Sequence, residues 1–160
     1  MTGNFYTVVA FLPLLEAANK RRPAPVPGVL SPPTAQVIVT SSIGGFARAP
    51  AVGFPYSLSK ATVTHLVKML STNFSSYDIR VNGIAPGLYL SEMASPMFEG
   101  RGTGVSDGSF PRDIIPLTRS GGEEDMSGLI LFLSSTAGGY LNGAIIASDG
   151  GRLSSMPSTY

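Results

Sequence analysis

Residues 36–85 place one long amphipathic segment between two short runs of strand-forming residues. Residues 36–40 are mostly β-branched and show no polar alternation, which is typical of a strand covered on both faces of a parallel sheet. Residues 78–85 form the second run, and residues 55–76 between them carry apolar side chains at helical spacing. Because a strand, a helix and a strand follow each other, the pattern predicts a right-handed parallel crossover in an α/β fold.

The rest of the chain extends this α/β pattern. Apolar residues at helical spacing predict a helix over residues 5–15, and acidic residues in a first turn predict another helix from residue 122. Residues 144–148 predict a third strand. The proline-rich residues 19–35 should form a surface connection, and the glycine-rich residues 88–121 a lid, a binding loop or a disordered loop.

The composition excludes several classes of protein. A chain of 160 residues is long enough for one domain with its own core. Eleven Lys and Arg against ten Asp and Glu leave no basic field for a nucleic acid. The absence of Cys and the single His exclude a disulfide framework, a thiolate zinc site and a multi-histidine metal site. We therefore expect neither a metal nor a nucleic-acid partner.

The apolar residues 5–15 have the length of a signal-peptide core. Against that interpretation, no Lys or Arg precedes them, Pro13 interrupts the run and Glu16 ends it. The run is also too short to cross a bilayer. We therefore favour an amphipathic helix, no membrane partner and a cytoplasmic location.

Tyr56 and Lys60 lie one helical turn apart near the start of the predicted helix 55–76, so they share one face of it. A tyrosine that exchanges protons near neutral pH needs its phenolate stabilised, and a neighbouring ammonium has the right charge to do so. The pair therefore predicts a general acid-base tyrosine. Y-x-x-x-K alone also occurs on ordinary surface helices, so the surrounding segments must decide between the two interpretations.

Two further segments reach the same edge of the predicted sheet. Ser42 follows the first strand, and the second strand ends at Pro86 and Gly87. Ligands of open parallel sheets bind at the carboxyl ends of the strands, so both segments converge with Tyr56 on a candidate site. Ser41 is an alternative to Ser42 as the hydroxyl that faces the tyrosine.

Together these residues resemble the short-chain dehydrogenase/reductase family, through the serine after the strand, the Y-x-x-x-K helix, the N-G-I-A-P-G turn at residues 82–87 and the closing D-G-G at residues 149–151. The resemblance runs from about residue 3 to residue 151. It implies an NAD(P)-dependent oxidoreductase that transfers a hydride between a nicotinamide and a small-molecule carbonyl or alcohol. It also implies a partial doubly wound, Rossmann-like parallel sheet that keeps three strands and flanking helices.

The resemblance gives each candidate residue a role. Tyr56 would exchange a proton with the substrate oxygen, and Ser42 would hydrogen-bond that oxygen. Lys60 would favour the phenolate and hold the nicotinamide ribose hydroxyls, so Tyr56 and Lys60 would also contact the cofactor. The residues that would line the nicotinamide pocket are Pro86, Gly87, Tyr89 and Ser91.

Family members begin with a strand, a glycine-rich turn and a helix that seat the dinucleotide, and nothing before residue 36 matches these elements. We therefore expect residues 1–151 to be the carboxyl-terminal part of one such domain, followed by a frayed tail at 152–160, and we expect weak NAD(P)(H) binding. An unpaired edge of the first strand should make the chain aggregate or depend on a partner, such as a homo-oligomer formed through the helices at 5–18 and 55–76. The alternative is a truncated, inactive member that acts through association with other subunits.

Two hydrolase interpretations are weaker. Residues 57–60 also form S-x-x-K, the nucleophile motif of penicillin-binding proteins, but S-D-N and K-T-G are missing. His65 lies on the same predicted helix as Tyr56, and G-x-S-x-G is missing, which disfavours a Ser-His-Asp hydrolase.

The remaining conspicuous residues receive structural interpretations. We interpret Arg80 as a residue that only interrupts the apolar pattern of a strand and has no further role. The arginines of the long loop should keep that loop soluble, with substrate binding as the alternative: Arg101, Arg112 and Arg119. Three aromatic residues are expected in the core: Phe11, Phe74 and Phe132.

Overall fold

The computed structural model describes residues 2–49 and 51–160. Its centre is a sheet of three parallel strands in the order β1-β2-β3. The strands are β1 (Gln36–Thr40), β2 (Arg80–Pro86) and β3 (Ile145–Ser148). The predicted α/β class and the parallel crossover are confirmed, and the carboxyl ends of all three strands lie at one edge of the sheet.

The α-helices among the described residues are α1 (Thr2–Lys20), α2 (Phe54–Asn73) and α3 (Glu123–Ser134). Helix α2 begins after Gly53, whose φ of 95° lies in the region that favours glycine, and Pro55 occupies its first turn. Helix α1 is longer than the predicted 5–15 and includes Pro13. No helix of the described residues is both long and apolar enough to cross a membrane.

The main core lies between the sheet and the helices α1 and α2. Val39 of β1 and Val81 of β2 pack there with Val67 and Leu70 of α2, and Val8 of α1 completes the cluster. Val67 and Val81 are fully buried. Burial of a side chain of this size stabilises a fold by about 1.5–3 kcal/mol. This cluster therefore fixes α2, the helix that carries the candidate catalytic pair, against the sheet.

Two of the three phenylalanines predicted in the core lie outside it. Phe74 does pack against the main core. Phe11 is 54% exposed and Phe132 is 41% exposed, so for these two the prediction was wrong. In the described part of α1 a single residue, Val8, is buried, and in α3 the neighbour of Phe132, Leu133, takes the buried position. Adjacent helix residues point in different directions, so Phe132 faces outward.

Arg80 forms a buried hydrogen-bond network, which corrects the interpretation that it has no role beyond the strand pattern. Its guanidinium is buried and donates hydrogen bonds to the Gln36 side chain and to the carbonyls of Gly138 and Leu141, at 2.9–3.0 Å. The buried Asn82 side chain bonds the same Gln36 oxygen at 2.8 Å. Burial lowers the pKa of Arg80. This polar network ties β1 and β2 to the turn before β3, at the edge of the sheet opposite the candidate site.

The long segment over residues 88–121 has a hydrophobic core of its own. Phe98, Phe110 and Ile115 are buried together, and the two phenylalanine rings meet edge to face at 5.5 Å. This small cluster explains how a segment whose only regular element is the short 3-10 helix Ser95–Phe98 stays folded.

Arg119 ends this segment in an ion pair, rather than serving only the solubility of the loop as predicted. Its guanidinium contacts both carboxylate oxygens of Asp125 in α3, at 2.7 and 3.0 Å. The same carboxylate accepts the Gly122 amide at 2.8 Å, which caps the helix. Arg119 thereby fastens the long segment to the first turn of α3.

The tail after Arg152 is docked, which corrects the expectation of fraying. Leu153 is buried against Ile43, and the backbone of Pro157 and Thr159 bonds the turn after β1, at Arg48 and Phe46. The tail therefore covers the turn that carries Ser42.

Candidate active site

A cleft of about 720 Å³ opens at the carboxyl ends of β1 and β2. Its volume lies within the range of small-molecule sites, which is about 300–1,000 Å³. All residues that the sequence nominated line it: Ser42, Tyr56, Lys60, Pro86, Gly87, Tyr89 and Ser91. The structure thus brings the three nominated segments together at one edge of the sheet.

Tyr56 and Lys60 face this cleft from the first two turns of α2. The Lys60 ammonium lies 5.8 Å from the centre of the Tyr56 ring and donates a hydrogen bond to the Thr40 carbonyl at 3.4 Å. In the described part of the chain, no group hydrogen-bonds the Tyr56 hydroxyl. The phenol is therefore available to a ligand, and a positive charge lies beside it.

The neighbouring residues Ser41 and Ser42 make different hydrogen bonds. The Ser41 hydroxyl is buried and donates to the Lys60 carbonyl at 2.9 Å, while it also contacts the Thr64 hydroxyl at 2.9 Å. The Ser42 oxygen accepts the Gly44 amide at 3.0 Å, and no acceptor among residues 2–49 and 51–160 takes its hydrogen. Ser41 therefore attaches β1 to α2, and Ser42 keeps a free donor in the cleft.

Two glycines allow the turn after β1 to approach α2. A Cβ at Gly44 would lie 3.0 Å from the Tyr56 ring and 3.4 Å from the Ser42 hydroxyl. A Cβ at Gly45 would lie 2.8 Å from the Lys60 backbone. Since real Cβ atoms do not come this close to backbone, glycine at position 45 sets the spacing between the serine turn and the Y-x-x-x-K helix.

A second close approach joins the turns after β2 and β3. The Gly87 amide donates to the Ser148 carbonyl at 2.9 Å, and a Cβ at Gly87 would lie 2.6 Å from the Asp149 Cα. The D-G-G turn therefore supports the floor of the cleft at Pro86 and Gly87. The sequence motifs at residues 82–87 and 149–151 are in contact for this reason.

Tyr89 and Ser91 border the cleft from the segment after β2. The Tyr89 hydroxyl forms a 2.6 Å hydrogen bond with the Ser148 hydroxyl, and its ring covers Gly121. The Ser91 hydroxyl is exposed and accepts the Ala94 amide at 3.3 Å. Tyr89 therefore borders the cleft with its hydroxyl already bonded to Ser148.

The sequence reasoning missed the residues that shape the rest of the cleft. Apolar side chains line much of it, among them Ile43, Leu88, Met93, Met97 and Met156. Arg152 also lines it, from the turn after β3. The position of Arg152 directly after D-G-G was an available signal, because that turn ends at the same sheet edge. No sequence signal pointed to the methionines as cleft residues, because the segments that carry them show no helical or strand period.

Three charged residues line the cleft within the described chain: Lys60, Glu92 and Arg152. Burial lowers the pKa of Arg152, and the charge of Asp149 partly offsets this effect. Both Asp149 oxygens are used locally, since they accept the amides of Gly151 and Leu153 at 2.9 and 2.8 Å.

The fold and this constellation agree with the known proteins that the chain resembles. A family model described as enoyl-(acyl carrier protein) reductase matches residues 21–152. The chain belongs to the short-chain dehydrogenase/reductase family.

Among curated relatives, the chain is 43% identical over 164 residues to the short-chain dehydrogenase/reductase PhomF of Diaporthe leptostromiformis, a match that covers 98% of this chain and 50% of PhomF. It is 44% identical over 167 residues to the short-chain dehydrogenase/reductase SAT3 of Stachybotrys chartarum, over 99% of this chain and 60% of SAT3. The chain thus spans 50–60% of the length of these relatives.

Solved structures of the family superpose on the chain. The Pseudomonas aeruginosa RhlG/NADP active-site complex matches with a TM-score of 0.75 and 31% identity, over 94% of this chain and 55% of that chain. A 3-oxoacyl-(acyl-carrier protein) reductase with bound NAD from Brucella melitensis matches with a TM-score of 0.70 over 94% of this chain and 48% of that chain. At 23% identity, this second match bears on the fold alone.

Proposed function

We propose that the cleft is the carbonyl end of an NAD(P)-dependent oxidoreductase site, in which Tyr56 is the general acid and base. One observation carries the proposal. The Tyr56 phenol, the free Ser42 hydroxyl and the Lys60 ammonium face one cleft at the carboxyl ends of the strands. A nicotinamide coenzyme, when bound, would supply or accept the hydride.

The protein groups would act on the substrate oxygen. Ser42 donates a hydrogen bond to the carbonyl and holds it beside Tyr56. In reduction, the Tyr56 hydroxyl gives its proton to the oxygen as negative charge develops there. The Lys60 ammonium, 5.8 Å from the ring centre, then stabilises the phenolate. In alcohol oxidation, the phenolate takes the proton back.

The residues present fit the nicotinamide end of the coenzyme. A ribose diol can accept from the Lys60 ammonium and can bond the Tyr56 hydroxyl, and both groups face the cleft. The floor at Pro86 and Gly87 and the ring of Tyr89 offer an apolar surface for the nicotinamide, and the Ser91 hydroxyl lies nearby. The donor set therefore suits a ribosyl nicotinamide.

We infer weak coenzyme binding by this chain. The described sheet has three strands and ends at β1. Within the described residues, no glycine-rich turn beside β1 leads from a strand into a helix that could cradle the pyrophosphate. The nicotinamide end alone would then provide most of the affinity.

The test of the acid-base role is the substitution Tyr56→Phe. In an assay of ketone reduction at saturating NADPH or NADH, with a panel of small apolar ketones, we expect it to lower kcat about a hundredfold or more, because the acid is removed while the ring stays. Tyr140→Phe is the matched control, since Tyr140 is fully exposed and should leave turnover unchanged. Equal turnover by the Tyr56→Phe and Tyr140→Phe variants would refute the acid-base role.

The second candidate function is association without catalysis, in this case with another copy of the chain. The exposed apolar side chains of α1 and α2 favour it: Phe5, Tyr6, Phe11, Leu14, Leu58 and Met69. Sedimentation at several concentrations should show a homo-oligomer that Met69→Glu disrupts. A chain that stays monomeric over this range would contradict self-association.

A cytoplasmic location belongs to the enzyme proposal, and microscopy of the tagged chain tests it.

A further inference from the structure

Arg152 is a cation in a cleft whose lining is otherwise largely apolar. It is partly buried in the turn after β3, on the same cleft as Tyr56 and Ser42. Burial lowers the pKa of Arg152, and the charge of Asp149, which favours the charged form, offsets this effect only in part. Partial removal of a guanidinium from water costs free energy unless an acceptor replaces the lost hydration.

The protein does not supply that acceptor within the described residues. Asp149 uses both carboxylate oxygens to cap the amides of Gly151 and Leu153, and no other side chain or carbonyl of residues 2–49 and 51–160 accepts a hydrogen bond from the Arg152 guanidinium. Elsewhere in this chain a partly exposed arginine is paired: Arg119 contacts both oxygens of Asp125. Arg152 differs from Arg119, because it lines the cleft and has no hydrogen-bond partner for its guanidinium among the described residues.

The surroundings of Arg152 indicate what kind of molecule would reach it. Ile43, Met93, Met97 and Met156 line the same cleft and favour an apolar body. The remaining charged groups on the lining are Lys60, beside Tyr56, and the exposed Glu92. Lys60 already donates to the Thr40 carbonyl, whereas Arg152 has no acceptor among the described residues, so an anionic group gains most at Arg152.

We propose that the carbonyl substrate carries a carboxylate on an apolar frame, and that Arg152 binds this carboxylate while the carbonyl lies at Ser42 and Tyr56. This assignment of substrate class rests on the proposed function. A guanidinium and a carboxylate form paired, charge-assisted hydrogen bonds, which would replace the hydration that Arg152 loses. Arg152 would therefore select among carbonyl compounds by their charge.

Binding of a keto acid and its neutral ester by the full chain tests the proposal without turnover. The probes are benzoylpropionate and its methyl ester, titrated at neutral pH with and without NADP⁺ and followed by ligand-observed NMR. We expect the acid to bind about tenfold more tightly than the ester, because a hydrogen bond to a charged group gains about 1.5 kcal/mol or more. Arg152→Gln should abolish this preference, and Arg152→Lys should keep part of it.

Arg21→Gln is the matched control, because it removes the same charge from an exposed position outside the cleft. Circular dichroism should show equal folding of all variants. The proposal is overturned by equal binding of acid and ester, by binding of neither, or by a preference that survives Arg152→Gln, which would assign the anion to Lys60. It is also overturned if Arg152→Gln weakens NADP⁺ as much as the keto acid.

The test separates this proposal from the proposed function. Tyr56→Phe should leave the preference for the acid intact while it removes turnover. A charge preference without any turnover would therefore uphold Arg152 as an anion site and count against the oxidoreductase assignment.

Discussion

At Gly45 the turn after β1 touches the backbone of α2. An added Cβ would lie 2.8 Å from the Lys60 carbonyl carbon and 2.9 Å from the Ala61 nitrogen. These are backbone atoms, which cannot rotate away as the end of a long side chain can. One missing methyl group thus determines how closely Ser42 and Lys60 approach each other.

Gly45→Ala should therefore destabilise the chain by about 1–3 kcal/mol, the usual cost of overpacking. Gly128→Ala is the matched control, because Gly128 lies in α3 with open space around it and should gain about 0.5–1 kcal/mol from better helix propensity. Urea unfolding midpoints of the two variants measure both effects. A Gly45→Ala midpoint at or above that of the natural chain would show that the turn can move away from α2.

At the scale of elements, the ion pair of Arg119 and Asp125 connects the segment over residues 88–121 to α3. The hydrogen bond from Arg119 and that from the Gly122 amide lower the pKa of Asp125 from 3.8 to about 2. A carboxyl group with a lowered pKa stabilises the folded chain above its unfolded pKa, and this contribution is lost as the pH falls. Both side chains are about one-third exposed, so solvent screening reduces the gain.

We expect Asp125→Asn to cost at most about 1 kcal/mol at neutral pH, and this cost should vanish as the pH falls from about 4 to about 2. Urea unfolding of both proteins across this range measures it. Asp113→Asn, at an exposed position of the same segment, should change little at any pH. A cost for Asp125→Asn that does not vary with pH would mean that the ion pair is not its source.

The elements that the sequence predicted are those whose signal is local. Strands β1 and β2 and helix α2 follow from β-branched runs and helical spacing, which neighbouring residues carry by themselves. The cluster of Phe98, Phe110 and Ile115 was not predictable in this way, because its members lie in one irregular segment and follow no helical or strand period. The partners of Arg80 and Arg119 likewise become adjacent only after folding.

At the scale of the whole molecule, the tail after Arg152 connects the turn after β3 to the turn after β1, which carries Ser42. Leu153 is 7% exposed and packs against Ile43, the residue after Ser42. The Ala47 and Ser158 backbones form a bridge, and the Phe46 and Tyr160 rings meet at 5.0 Å. The tail therefore fixes the turn that presents the Ser42 hydroxyl to the cleft.

Leu153→Ala should cost about 2–3 kcal/mol, as expected for a buried leucine truncated to alanine. It should also expose the tail to limited proteolysis, since the cluster around Ile43 would lose its anchor. Leu30→Ala, at an exposed position, is the control and should have little effect. A protein that loses residues 153–160 to protease without loss of stability would contradict a structural role for the tail.

The segments that form the candidate site were predictable, but the arrangement of their side chains was not. The motifs nominated Ser42, Tyr56 and Lys60 because parallel strands end at one edge, and all three line the cleft. The choice of Ser42 over Ser41 needed the hydrogen bonds, since adjacent serines look alike in sequence. The places of Arg152 and the methionines in the cleft could not be predicted, because they depend on the docked tail and on the folded segment over residues 88–121.

The most direct test of the central claim, that this cleft holds a ribosyl nicotinamide beside Tyr56 and Lys60, is saturation-transfer NMR from the full chain to the nicotinamide protons of NADP⁺ and of nicotinamide mononucleotide. We predict saturable, millimolar binding of both ligands, with similar affinities, and a loss of about tenfold in Lys60→Ala. Lys20→Ala, an exposed lysine of α1, should bind as the natural chain does. Absence of saturable transfer, or transfer unchanged by Lys60→Ala, would contradict the claim.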